Sequence, residues 1–547
     1  MDRARTRIGS AALVATALVV GAAACSSSGT TTQQATGQTT PTTVSGVRLQ
    51  GMGDAATPTD GGKVVIGLEA ESSGWDPTTN GWSGVGHYVA SAIFDPLATL
   101  DADGKAVPYL AESMTPSEDG KVWTITVRDG VTFHDGTPLT ADAVKLNLDR
   151  QKASATTGKA LASVQSIDVV DPRTVKVTMS QPWISFPYTL TTQVGYVAAP
   201  SMLNGPDGAL KPVGTGPYVF QSWDQDVSFR ATKNPAYWQK GKPHLAEIEF
   251  RPIPDADARV AALRNGTIDM MHTPVPGDVA QLRDTEFKMV ENANGEETFV
   301  VLNTATAPFD DPIARRAVAL ATDTKTYVDT VGAGLTTAAN GPFVPGQLGY
   351  REDTGYPAFD LDKAKELVKE YETKHGGPLA FTYKGGATVA DRTGQQLLTD
   401  MWRKAGMQVD VATIKQSDQI ATGVIGDFQA IDWRNHGSPD PDGEYVWWHS
   451  KTIVPVGGIS TNVPRFADAK VDGALDDARV TADPTKRDED FAMVAQQLNA
   501  ALPYIWLTHV DWALAANPRV HGFEDAANGS ISTLGAKTWL ADLWVGS

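Results

Sequence analysis

The sequence predicts a two-lobed α/β protein with mixed sheets, and three observations carry that reading. At 547 residues the chain exceeds a single hydrophobic core, which stops growing at about 250–300 residues. The first half is rich in short alternating strands, whereas residues 379–411 read as strand, helix and strand, a unit that implies parallel pairing. Later, the apolar run Leu502-Pro503-Tyr504-Ile505-Trp506-Leu507 reads as a strand that returns the chain to its first half.

The elements follow in order. Arg3, Arg5 and Arg7 precede an apolar run from Ile8 to Ala24, which ends at Ala22-Ala23-Ala24-Cys25. A cationic head, an apolar stretch and small residues before a cleavage point make an export signal. The run is 17 residues long and rich in Ala, Gly, Ser and Thr, short of the roughly 20 apolar residues that span a bilayer. Cys25, the sole cysteine, is followed by Ser26-Ser27-Ser28-Gly29 and looks like a bacterial lipobox. Its thiol would then carry lipid and tether the protein on the outer face of the cell membrane. The rival is an ordinary cleaved signal, because Ala22 stands where a lipobox usually has Leu. Residues 1–24 are thus expected to be a signal peptide and residues 25–62 a flexible tether of Ser, Thr, Gly, Gln and Ala.

The folded part is expected from Lys63, with Val64-Val65-Ile66 as a buried strand. Residues 121–127 alternate as a strand, Asp129-Gly130 turns, and Asp135-Gly136-Thr137-Pro138 turns again. Thr140 caps a helix through Arg150 that carries Ala141, Val144 and Leu148 on one face. Residues 169–179 give two short strands around Asp171-Pro172. Asp311-Pro312 opens a helix with Ile313, Ala317 and Leu320 inward. Leu361 to Tyr371 is amphipathic and stops at Gly376-Gly377. The strand Leu379–Tyr383, a helix from about Asp391 to Ala405 and the strand Met407–Val411 complete the β-α-β unit.

Composition narrows the function. With 41% apolar and 20% charged residues, the bulk is ordinary globular protein. The net charge is −18, and −20 once residues 1–24, with three Arg and one Asp, are removed. That argues against nucleic acid, whose phosphates demand a basic surface. A lipidated Cys25 leaves no disulfide, so stability must come from the core. No Gly-x-Ser-x-Gly elbow, His-Glu-x-x-His or phosphate loop occurs. His436 and His449 form the nearest histidine pair at non-metal spacing, so no metal and no cofactor is expected. Paired glycosidase carboxylates remain open among 64 acidic residues.

Blocks across nearly the whole chain carry a family resemblance. They are Ile93-Phe94-Asp95-Pro96-Leu97, Leu110-Ala111-Glu112-Ser113, Ser117-Glu118-Asp119-Gly120 and Val127-Arg128-Asp129-Gly130-Val131. Phe133-His134-Asp135-Gly136-Thr137-Pro138-Leu139-Thr140-Ala141 and Pro212-Val213-Gly214-Thr215-Gly216-Pro217-Tyr218 follow, then Asn234-Pro235-Ala236-Tyr237-Trp238. Asn303, Pro308-Phe309-Asp310-Asp311, Arg315-Arg316-Ala317, Asp360 and Lys363-Ala364 come later. In this order and spacing they resemble the family 5 extracellular solute-binding proteins, the peptide- and nickel-binding receptors of ABC importers.

The resemblance implies a type II periplasmic-binding fold with two crossing segments, expected at Thr298–Asn303 and Tyr504–Thr508. Lobe I would comprise residues 61–300 plus 505–547, and lobe II residues 301–504. It also implies a receptor that does no chemistry, is not an enzyme, acts as a monomer and serves an ABC permease with its ATPase subunits. Its cargo would be oligopeptides, held in the interlobe cleft.

Trp433 with Ser438-Pro439-Asp440-Pro441-Asp442-Gly443 resembles the family's Trp and Asp-Pro-Asp segment, where an aspartate receives the peptide ammonium. Asp440 is therefore expected to be the ammonium anchor, because a cation sealed from water needs a fixed counter-charge. The same residues also suit a plain turn. Arg434 could grip a carboxylate in bidentate fashion. Trp82 and Tyr445 are further candidate contacts, with Trp447-Trp448 as walls of side-chain pockets or as core. Asn435-His436-Gly437 departs from the oligopeptide pattern, which keeps nickel chelate, haem or an oligosaccharide open as cargo. A secreted hydrolase and an envelope regulator that binds no solute are the readings from other classes.

Overall fold

Period-two alternation along a few long strands places apolar side chains on both faces of one sheet. In strand Lys63–Leu68, Val64, Ile66 and Leu68 enter one apolar cluster while Val65 enters another. In strand Lys288–Leu302, Val300 and Leu302 point to one cluster, Phe299 and Val301 to its opposite. A sheet covered on both faces needs such runs. The computed structural model describes residues 42–44, 47–52, 57–101, 103–155, 157–434, 438, 440–523, 531–532 and 537–546. These belong to one compact unit, Thr40–Ser547.

The main sheet has thirteen strands among the described residues. Its path runs Tyr218–Asp224, Ser228–Lys233, Glu247–Pro252, Lys63–Leu68, Met270–Thr273, Tyr504–Ala516, Lys288–Leu302, Ala430–Arg434, Ala380–Gly385, Gln408–Thr413. It is mixed. Lys63–Leu68 runs parallel to Glu247–Pro252, with Lys63 opposite Glu247, whereas Met270–Thr273 runs antiparallel to Tyr504–Ala516. A separate four-stranded antiparallel sheet orders Ala111–Pro116, Val122–Val127, Thr174–Met179 and Val164–Asp171.

The apolar clusters divide by sequence. One pair draws on residues 47–290 and 513–543, the other on residues 299–507. Two strands cross between these pairs, Lys288–Leu302 and Tyr504–Ala516. They are antiparallel partners of each other, from Lys288 opposite Ala516 to Val301 opposite Tyr504. Their register shifts at Asn292/Glu296 and at Thr298/Phe299. Irregularities of this kind bend and twist a strand pair.

Local signals place the helices. Thr140 accepts from Ala143 N at the start of helix Ala141–Ala153, and Asp311 accepts from Ile313 N before Pro312–Ala321. Helix Leu361–His375 ends at Gly376 with φ 69°, a left-handed cap that suits glycine. Ala380–Gly385 and Gln408–Thr413 pair in parallel around helix Val389–Lys404, the β-α-β unit read from the sequence.

One difference concerns the N-terminal boundary. The folded unit starts before Lys63, because Val47–Gln50 is a strand on Lys288–Leu302, with Val47 opposite Asn292. Val47 and Leu49 are buried in the first core, and Arg48 pairs with Glu291 at 2.9 Å. The tether expected over 25–62 overlooked this short alternation inside a polar stretch. Cys25 and the apolar run Ile8–Ala24 lie outside the described residues. Among the described residues no helix is long and apolar enough to cross a membrane.

Candidate functional site

Three of the sequence blocks converge on one buried carboxylate. Asp95, just past helix Gly84–Ile93, accepts from Thr215 Oγ1 at 3.0 Å, Tyr237 OH at 3.1 Å and Trp238 Nε1 at 3.0 Å. Burial pushes its carboxyl up to about 6, against those three donors. His134 from a fourth block approaches Gly216 O through Nε2 at 3.0 Å. A Cβ on Gly214 would stand 2.2 Å from Ile93 O, so this position tolerates only glycine. These blocks are scaffold: they fix the end of the helix that begins beside Trp82.

Above that scaffold a cavity of about 1700 Å³ is lined from both pairs of clusters. Glu69, Trp82, His87, Trp183, Ser185 and Tyr196 come from the first half of the chain. Gln419, Asp432, Trp433, Arg434, Asp442 and Trp447 come from the second, and Thr298, Phe299, Leu507 and Thr508 of the crossing strands complete the lining. The space is therefore an interlobe cleft.

The expected site residues fall into two groups. Trp82, Trp433 and Arg434 border the cleft. Trp82 is 4% exposed, donates Nε1 to Gly74 O at 2.9 Å and stacks on Phe94 with centroids 6.1 Å apart. Trp433 sits opposite Phe299 on strand Ala430–Arg434. Arg434 reaches across to Glu69 at 2.7 Å and lies over the Trp512 ring at 4.9 Å.

Asp440 and Tyr445 are placed elsewhere, outside the lining. Asp440 is 4% exposed, pairs with Arg487 at 2.6 Å and accepts from Asp442 N at 3.0 Å. Burial pushes its carboxyl up from the ordinary carboxylate value, and Arg487 opposes that rise. The ammonium anchor expected at Asp440 has its Oδ1 held by Arg487 and by Asp442 N, and it stands outside the cleft lining. Tyr445 donates to Asp476 at 2.8 Å and carries the Arg479 guanidinium over its ring at 3.6 Å. His449 is buried against Asp472 and Asp476, and His436 lies outside the described residues. Among the described residues no group of three or more His, Cys, Asp or Glu could hold a metal ion.

Sequence reasoning missed the seam where the two halves touch. Asp442 Oδ2 accepts from Trp183 Nε1 and Ser185 Oγ, each at 2.6 Å, while Oδ1 accepts from Arg479 Nε at 2.8 Å. The Arg479 guanidinium lies 4.4 Å over Trp183, and Ile184 N donates to Arg479 O at 3.1 Å. Asp442 was visible within Asp-Pro-Asp-Gly, but its partners, 257–259 and 37 residues away, have no local signature. Asp432 was also missed. The Tyr383 hydroxyl donates to it, and burial pushes its carboxyl up to about 7, with the nearby Asp391 charge adding to the rise.

Comparison with known proteins fits this geometry. The model of the bacterial extracellular solute-binding proteins, family 5 (middle region), matches residues 105–454. The glutathione-binding protein GsiB of Salmonella typhi is 35% identical over 289 residues, 52% of this chain. That match spans 56% of the relative's own length, little more than half. The periplasmic binding protein DppA of Helicobacter pylori, in complex with the peptide STSA, superposes with a TM-score of 0.81 at 22% identity. That comparison covers 89% of this chain and 99% of DppA. AppA of Bacillus subtilis, an oligopeptide-binding protein in complex with a nonapeptide, gives a TM-score of 0.80 at 21% identity, covering 90% of this chain and 100% of AppA. The two structures share the two-lobed fold, and the chain belongs to the family 5 bacterial extracellular solute-binding proteins.

Proposed function

We propose that this chain is a membrane-tethered receptor that captures oligopeptides in its cleft and delivers them to an ABC permease, without catalysing a reaction. The cleft carries this reading: about 1700 Å³ bounded by two separate cores and joined by two crossing strands. That exceeds the roughly 300–1,000 Å³ of a small-molecule pocket. An extended peptide would fill it through backbone hydrogen bonds, with water taking up the spare room.

Charge refines the cargo. The lining holds ten Asp or Glu and five Lys or Arg, and three of the cations are already paired: Arg259 with Asp278, Arg434 with Glu69, Arg479 with Asp442. The excess of carboxylates favours cargo of zero or positive net charge. Glutathione has two carboxylates and one ammonium, so a zwitterionic peptide suits this lining better.

In this reading lobe I comprises residues 61–300 plus 505–547, together with the strand Val47–Gln50, and lobe II residues 301–504. Cys25 carries the lipid once residues 1–24 are removed, and the receptor works as a monomer. Trp82, Trp433 and Arg434 contact ligand. Tyr445 and Asp440 act by positioning, Asp440 by capping the turn that presents Asp442.

Mass spectrometry of what copurifies with the chain tests the cargo, native and then denatured. A ladder of heterogeneous peptides is expected, and one discrete non-peptide mass would replace the peptide reading. Palmitate labelling that survives Cys25→Ala would overturn the anchor.

A further inference from the structure

One wall of the cleft gathers several large apolar side chains on a single helix and its neighbours. Helix Gln416–Ile425 presents Ile420, Gly423 and Val424 at i, i+3 and i+4, hence on one face. Gly423 lies under Trp433, so closely that a Cβ there would be 2.3 Å from Trp433 Cζ3. Trp447 stands edge-on to Trp433, with ring centroids 6.4 Å apart. The segment after residue 456 is strapped to the same helix by Gly457 N to Ile425 O and Ser460 N to Val424 O, both 2.8 Å. That brings Ile459 and Thr461 beside Val424.

Ile420 is 45% exposed and Ile459 44%, although both line the cleft. Large apolar side chains left open on one concave patch mark a surface that something covers. Thr461 adds an independent observation: it is 7% exposed, lines the same cleft, and its Oγ1 is buried with no hydrogen-bond partner. A buried hydroxyl without a partner is costly, and a polar group on a bound molecule relieves it.

We infer that Ile420, Val424, Trp433, Trp447 and Ile459 form a subsite for one large apolar or aromatic side chain of the cargo, with Thr461 hydrogen-bonding the polar group beside it. The inference rests on the peptide reading for the identity of the cargo and on the wall alone for its apolar preference. The receptor is then selective for peptides with a bulky residue at one position and indifferent elsewhere. Gly423 is the enabling residue, since it lets the Trp433 ring lie against the helix.

The test uses the purified full chain and five tetrapeptides: tetra-alanine and its four single-phenylalanine variants, with affinities from calorimetry. One phenylalanine peptide is expected to bind at least tenfold tighter than tetra-alanine. That ratio should fall toward one in the double variant Ile420→Asn with Ile459→Asn. Both side chains are exposed, so the fold should survive, and a melting curve checks it. A single Ile459→Asn serves if the pair does not fold.

Phenylalanine peptides all within threefold of tetra-alanine, or a preference that persists in the variant, would overturn the subsite. If no peptide binds, the peptide reading fails instead, and the neutral fluorophore N-phenyl-1-naphthylamine decides the subsite separately. Its emission should rise with the native chain and not with the variant. No rise with the native chain, or an equal rise with both, sinks the subsite.

Discussion

Removing the Ser185 hydroxyl would test whether the seam between the two halves sets the strength of ligand capture. Ser185 Oγ and Trp183 Nε1 both donate to Asp442 Oδ2 at 2.6 Å, from the opposite side of the cleft. A hydrogen bond to a charged group contributes about 1.5–3 kcal/mol. The Arg479–Asp442 pair lies within one half and survives the change, as does the bond from Ile184 N to Arg479 O. Ser185→Ala therefore takes about 1.5–3 kcal/mol from the closed arrangement and leaves each core intact. The closed-to-open ratio should fall by about 13- to 160-fold, and apparent affinity falls with the closed fraction. Calorimetry with a copurified ligand reads the affinity, small-angle scattering of the free protein reads the radius of gyration, and melting reads the cores. The expected result is weaker binding and a larger radius with melting unchanged. Unaltered affinity and radius would show that the seam does not govern closure.

Asp440→Ala should destabilise folding by about 3–5 kcal/mol in a denaturant titration, because it strands the Arg487 guanidinium, which is 11% exposed. Asp432→Asn should change the pH profile of stability. The folded carboxyl titrates near 7 and the unfolded one near 3.8, so the native state binds more protons between those values. Wild-type stability then falls as pH rises from about 4 to about 7, and the variant's melting advantage should grow across that window and flatten above it. A pH-independent advantage would rule out Asp432 as the titrating group. Gly423→Ala should cost about 1–3 kcal/mol by pushing the Trp433 ring away, and should shift tryptophan emission. An emission spectrum like the wild type's would show that the ring has room to give.

Much of the fold was legible because its signals are local. Thr140 and Asp311 announce their helices through backbone donors two or three residues on, and the β-α-β unit around residue 395 follows from hydrophobic period alone. The strand Val47–Gln50 was not, because its two apolar residues sit in polar sequence and the strand that ties it to the main sheet, Lys288–Leu302, is over 230 residues away. The candidate site was half legible for a similar reason. Trp82, Trp433 and Arg434 border the cleft, but which carboxylates are engaged within the chain depends on distant arginines. Arg487 is 47 residues from Asp440 and Arg479 is 37 from Asp442, and nothing in the intervening sequence marks either pairing. Ile420 and Ile459 look like ordinary core residues until the structure leaves them uncovered.

The crossing strands also set the order in which the chain can be completed. Tyr504–Ala516 lies in the sheet between Met270–Thr273 and Lys288–Leu302, so a central strand of the N-terminal half is synthesised long after both of its neighbours. Until it arrives, both neighbours present open edges, and unpaired edges invite pairing with other chains. The N-terminal core therefore waits for residues 504–516, and an intermediate ending before residue 504 should stay protease-sensitive throughout that core. A chain that cannot finish folding early remains threadable for longer, which suits a member of an extracellular family.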